Sequence, residues 1–307
     1  MIVRPRNATS IFTLLFALKG SIIPVIWPRV LYTMLLSLAV VATDLRGLVI
    51  HFSIDPAMLT LLGLTLAIFL GFRNSVAYQR WWEGRTLWGD LIIASRNLAR
   101  QTQAFMPSLD PDPRKQLVHD VIGFSHALRH HLRDSAPDSD LQRWLAPGVY
   151  AAAMASPNRP NAVLGAIGET YAQAARATGL DGMLSAAIDR ELCQLSHVMG
   201  ACERIKTTPI PFAYILLLHR TVLVYCFMLP FCLIDPLGWL TPIAVGILAY
   251  TFFGLDAIGE QIEGPFDTLP NDLPLDALCR TIEINLLSLL GETDLPQPLE
   301  PVEYVLS

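Results

Sequence analysis

The stretch Pro56–Arg100, PAMLTLLGLTLAIFLGFRNSVAYQRWWEGRTLWGDLIIASRNLAR, most limits what this chain can become. From Pro56 to Phe72 it holds no charged residue, long enough to cross most of a bilayer as a helix. No proline follows until Pro107, so the helix is expected to continue beyond Arg73, with Gly84 and Gly89 as its weak points. Past the apolar part the pattern turns amphipathic and basic. A helix that starts in lipid and runs far into water belongs to an assembly occupying both.

Two stripes lie side by side on the apolar part. Gly63, Ala67 and Gly71 recur every four residues and would let a neighbouring helix, including a copy of itself, approach closely. One position on, Leu64, Ile68 and Phe72 make a bulkier apolar stripe with the same spacing. Taken alone, that stripe reads first as a face toward lipid or core. Its second reading is the wall of a narrow pore made by packed copies of the helix.

Composition supports the membrane setting: 52% of residues are hydrophobic and 16% charged, against about 25% charged in soluble proteins. The net charge of -5 gives a nucleic-acid surface no support. Five cysteines (Cys193, Cys202, Cys226, Cys232 and Cys279) form no CxxC pair and read as isolated thiols.

Before this helix, Arg4 and Arg6 precede a short apolar run, Ile11–Leu18, read as an amphipathic helix at the inner membrane surface rather than a cleaved leader. Pro24 and Pro28 punctuate the approach to a first span over about 30–43. Basic residues lie before that span and after the second (Arg73, Arg80, Arg85), with Arg46 alone between. This places the N-terminus and the middle of the chain in the cytoplasm. In the middle, helices are expected over about 115–133, 161–178 and 183–204. His126 and His130 share a face of the first, but no third ligand stands at fixed spacing, so packed or solvated histidines are expected rather than a metal site. No phosphate loop, nucleophile elbow or triad is present, and enzyme chemistry has no visible home.

The chain then returns to the membrane. Pro209 and Pro211 hold Ile210 between them at the entry to a third span, in which His219 and Arg220 would be costly against hydrocarbon. Asp235-Pro236 is expected to end it, and Leu237–Leu255 forms a fourth charge-free run. Beneath it, Asp256, Glu260, Glu263, Asp267 and Asp272 read as partners for Arg73, Arg80 and Arg85, with a calcium loop as the competing reading. The proline-rich tail is expected to run extended over the surface or a neighbouring subunit. The segments are therefore 1–29, an N-terminal piece; 30–100, spans one and two; 101–208, a cytoplasmic helical domain; 209–255, spans three and four; and 256–307, a cytoplasmic tail.

In MIVRP, IFLGFRNSVAYQRWWEGRTLWGDLIIASRNL, ACERIKTTPIPFAY and EQIEGPFDTLPNDLPLD, the chain resembles the bestrophin family of ion channels, particularly its bacterial branch. The resemblance spans nearly the whole length. It implies an all-α membrane protein with four transmembrane helices per subunit, assembled as a homopentamer around one axial pore above a helical cytoplasmic vestibule. Leu64, Ile68 and Phe72 then match the hydrophobic neck and Ile210 the cytoplasmic aperture. Arg80, Trp81, Trp82, Pro211, Pro265 and Phe266 match structural signatures. The calcium clasp of the animal members matches incompletely: Gly264-Pro265-Phe266-Asp267 is followed by Thr268, Leu269 and Pro270, leaving Gln261 and Asp272, so calcium activation is not expected. No cofactor or metal is expected. The implied activity is passive flow of small monovalent ions across a bacterial inner membrane, with membrane lipids as partners and both termini cytoplasmic. Anions are implied by the animal and plant members and monovalent cations such as sodium by some bacterial ones. The rival reading is a membrane-anchored scaffold or signalling protein.

Overall fold

The computed structural model describes residues 1–2, 21–44 and 56–307. The expected amphipathic helix at Ile11–Leu18 and most of the loop before Pro56 lie outside the described residues. Among those described, the chain is helical, with isolated β-bridges at Ile2–Val305 and Val302–Val305 only.

Helix α1 covers Ile23–Asp44, longer than the expected 30–43. Its prolines lie inside rather than before it. Pro24 falls in the first turn, where the missing N–H has no helical partner anyway, and Pro28 costs one bond of a helix with many. Helix α2 is Pro56–Phe105, 50 residues without a break, so Gly84 and Gly89 do not interrupt it. Five helices follow: α3 Pro111–Leu132, α4 Asp138–Trp144, α5 Pro147–Ala155, α6 Arg159–Thr178 and α7 Gly182–Thr207. Asn158 caps α6 through its side chain, Asp181 caps α7, and Gly179 at φ 62° ends α6 in the left-handed conformation glycine favours.

Helix α8 is Phe212–Leu237 and α9 is Thr241–Glu263, joined by a 3-10 turn at Gly238–Leu240. Helix α8 ends one residue past Pro236, at the expected Asp235-Pro236 stop, while residues assigned to the start of the fourth run make the turn instead. The acid-rich stretch after Leu255 continues α9 to Glu263. Among the described residues, three apolar stretches are long enough to cross a membrane: α1, Ala57–Phe105, and Phe212–Glu263, the last containing both α8 and α9. Helix α10, Leu275–Leu289, was not anticipated.

The chain divides into two compact units. The apolar unit takes the chain up to Trp81 together with Pro209–Gly264, and the polar unit takes Trp82–Thr208, Pro265–Ser307 and the first residues. The division falls within α2, between Trp81 and Trp82. In the apolar unit Leu66, Leu70, Val222, Cys226, Val245, Ala249 and Phe253 pack into one core. A Cβ on Gly246 would lie 2.9 Å from the sulfur of Met34, and one on Gly254 would touch Ile26, so α1 runs antiparallel to α9. Tyr225 meets Phe252 edge-on at 4.8 Å while His219, earlier in α8, meets Asp256, later in α9, so α8 runs antiparallel to α9 as well.

In the polar unit α2 buries Trp88, Leu91, Ala94 and Leu98 completely. The tail lies on its own subunit: Arg280 donates to the Gln297 carbonyl at 3.1 Å and the Ala277 amide to Ser307 at 3.0 Å. All five cysteines are free thiols, and burial pushes Cys279 up to about 12.

Candidate functional site

Helix α2 has one covered face. Gly63, Leu66, Leu70, Arg73 and Ala77, spaced by three and four residues, are buried within the apolar unit. A Cβ on Gly63 would meet the Tyr225 hydroxyl at 2.6 Å, so this glycine lets α8 of the same chain approach. The expected small-residue stripe therefore divides. Gly63 serves packing within the subunit, while Ala67 and Gly71 lie exposed and a Cβ on Gly71 would touch nothing. On the uncovered side stand Leu64, Ile68 and Phe72, 59%, 49% and 62% exposed. Three large apolar side chains in helical register left open by their own chain need a partner surface, lipid or a pore axis.

Directly below Phe72 the covered face turns ionic. Arg73 is 1% exposed and its Nη1 donates to Asp256 Oδ1 at 2.6 Å. The other oxygen of Asp256 meets His219 Nδ1 at 2.8 Å, which accounts for the costly histidine of α8. Arg73 also lies 4.0 Å from Glu263, and Asn74 donates to the Leu255 carbonyl at 3.0 Å. Arg80 donates to the backbone carbonyl of Glu263 at 3.1 Å. Of the expected acid–base pairs, Arg73–Asp256 is thus direct, and Arg80 reaches Glu263 of the acidic stretch through its backbone carbonyl. Arg85 forms no ion pair with the acidic stretch among the described residues.

The exit segment joins the same group. The amide of Ile210 donates to Glu263 Oε1 at 3.2 Å, and Pro211 caps the start of α8. Ile210 is 8% exposed, so unlike the three neck candidates it is covered by its own chain. Trp81 stacks on Tyr78 at 6.2 Å, whereas Trp82 is exposed. Phe266 is buried, and its ring packs at Gly84, where a Cβ would come within 3.0 Å. The Pro265 carbonyl accepts from Leu273, and the Phe266 carbonyl from Arg133 at 3.2 Å.

Asp272 accepts from the Leu269 amide at 2.6 Å, and burial raises its carboxyl to about 7. The histidines are packed. His126 Nε2 meets Glu283 at 2.6 Å, and His130 meets Asp140 at 2.8 Å. No group of three metal-ligating side chains occurs among the described residues. Sequence reading missed Glu283, Asp140 and Asp276 as the anions of this cluster. Glu283 and Asp276 lie far along the chain from their partners, and the local signals were the acidic first turns of α4 and α10.

Comparison with known proteins agrees with this architecture. Residues 1–288 match the Bacterial/Fungal Bestrophin protein family. A voltage-dependent anion channel-forming protein of Mesorhizobium japonicum is 38% identical over 99% of this chain and 96% of its own length. The corresponding Escherichia coli K12 protein is 39% identical over 98% of each chain. A crystal structure of a bacterial bestrophin homologue from Klebsiella pneumoniae superposes with a TM-score of 0.81 at 40% identity, covering 86% of this chain and 98% of that one. The chain belongs to the bacterial/fungal bestrophin family, a membrane-protein family of channels rather than enzymes.

Proposed function

We propose that this chain forms an anion-conducting pore as a ring of identical subunits, five by family resemblance, with α2 of each subunit around the axis. The observation that carries this reading is the uncovered stripe of Leu64, Ile68 and Phe72 on a helix whose opposite face is closed by its own chain. Apolar side chains offer an ion no ligand, so a neck made of them regulates passage through width and wetting. Ile210 takes the exit, held on a short segment in which both flanking prolines fix their own φ. Arg80, Trp81 and Trp82 anchor α2 and make no contact with the ion.

The relatives' names give the ion sign: those at 38–40% identity are named as anion channel-forming proteins. Four crossings per subunit, from α1, the upper part of α2, α8 and α9, put both termini in the cytoplasm of a bacterial inner membrane. Calcium has no assigned role. The test is ion flux from liposomes holding the purified protein, with reversal potentials in a salt gradient. Reversal near the anion equilibrium potential is expected. Reversal at the cation potential would reassign the ion, and absence of flux would favour a membrane-anchored scaffold.

A further inference from the structure

Away from the candidate neck, the apolar unit carries a groove of about 550 Å³ between α1 and α8, with Phe253 of α9 also lining it. Tyr32 and Thr33 line one wall, and Leu223, Val224 and Phe227 the other. Because α1 and α8 both run antiparallel to α9, they run parallel to each other, and their first turns lie at the same end. Arg29, six residues into α1, lines the groove. Arg220 is eight residues into α8 and precedes Leu223 and Val224 by three and four residues, on the same face. Across α9, Arg29 stands level with about Tyr225, so Arg220 lies about five residues, ~7 Å, nearer the shared first-turn end of the groove.

Among the described residues no carboxylate pairs with Arg29 or Arg220, whereas Asp256 neutralises Arg73 in the same unit. An uncompensated guanidinium beside hydrocarbon is costly unless it meets an anion. A guanidinium fork matches phosphate oxygens in a bidentate way. An apolar channel ending in unpaired positive charge therefore calls for an occupant with a long apolar body and a negative head. We propose that the groove binds an anionic phospholipid, with an acyl chain along Val224 and Phe227, the phosphate on Arg29, and Arg220 adding positive charge about one turn nearer the groove's end. A zwitterionic lipid brings its own ammonium group and gains less. This inference does not depend on the pore reading.

The full chain, purified in mild detergent, would be titrated with phosphatidylglycerol or phosphatidylcholine and weighed by native mass spectrometry. The wild-type protein should retain phosphatidylglycerol several-fold better, Arg29→Gln with Arg220→Gln should bring the ratio to about one, and Arg29→Lys should keep part of the preference. Equal retention by the wild type, or an undiminished preference in the double variant, would overturn the proposal. A photo-crosslinking amino acid at Val224 in phosphatidylglycerol liposomes decides the occupant even if the double variant fails to fold. A lipid adduct is expected, and an adduct to a second copy of the chain would mean that a neighbouring subunit fills the groove and would overturn it.

Discussion

Arg73 of the apolar unit and Arg129 of the polar unit are both largely enclosed, yet they are neutralised differently. Arg73 depends on Asp256 at 2.6 Å, with Glu263 at the outer limit of 4.0 Å. Arg129 pairs with Asp140 and also with Asp276 at 3.0 Å. Asp276 is shared with Arg133 at 2.7 Å, and Glu283 lies between His126 and Arg280 at 2.6 and 2.8 Å. The first arrangement has one close anion and no spare, while the second spreads its charge over several partners. A buried charge stripped of its partner is far more costly than one pair lost from a network.

The largest expected effect follows from that contrast. Asp256→Ala leaves the Arg73 guanidinium buried without its partner and should cost about 3–5 kcal/mol in thermal or denaturant unfolding. Replacing both members, Arg73→Met with Asp256→Leu, should recover most of it. Asp276→Ala should cost far less, about 1 kcal/mol, because its side chain is 30% exposed and Arg129 keeps Asp140. Equal losses for Asp256→Ala and Asp276→Ala would break the comparison.

A smaller stability effect, with a larger functional one, is expected on the uncovered side of α2. Leu64→Ala, Ile68→Ala and Phe72→Ala together should cost less than the roughly 2–5 kcal/mol of a single buried large-to-Ala change, while giving larger or more persistent single-channel currents. A strongly destabilised protein with ordinary currents would return the stripe to a packing role.

The smallest expected effect is a slope. Burial alone would raise Asp140 and Glu283, but histidine hydrogen bonds and neighbouring positive charge hold both below the ordinary carboxylate value. Their stabilisation is present above that value and is lost as pH falls through the depressed pKa. Asp272 runs the other way. Raised from 3.8 to about 7, its folded form holds a proton that the unfolded chain has released, so its contribution declines as pH rises across that range. Asp272→Asn should flatten this decline in melting temperature, and an unchanged slope would show that another group carries it.

Much of this was legible because it is local. The run without proline from Pro56 to Phe105 dictates a single helix, and the spacing of Leu64, Ile68 and Phe72 dictates a shared face. The expected helix over 183–204 is α7 within three residues at either end. Other features depend on contacts distant in sequence. Nothing near Gly63 says that Tyr225 fills its space rather than a copy of α2, and nothing near His126 names Glu283. Proline misled in the first span, since Pro28 is absorbed into α1 where the punctuation rule would place it before the helix. The ion sign is not written in net charge at all, and it rests on the relatives' names.

Glu263 has a mechanical consequence. Its carboxylate takes the amide of Ile210 and lies near Arg73, while its carbonyl takes Arg80, so one residue fastens the exit segment to two points of α2 separated by two helical turns. A joint pinned at three places transmits rotation instead of absorbing it. Tilting α2 enough to swing Phe72 away from its position drags the end of α9 and, with it, the backbone that carries Ile210. With both candidate constrictions tied to Glu263, a tilt of α2 is expected to shift the two together.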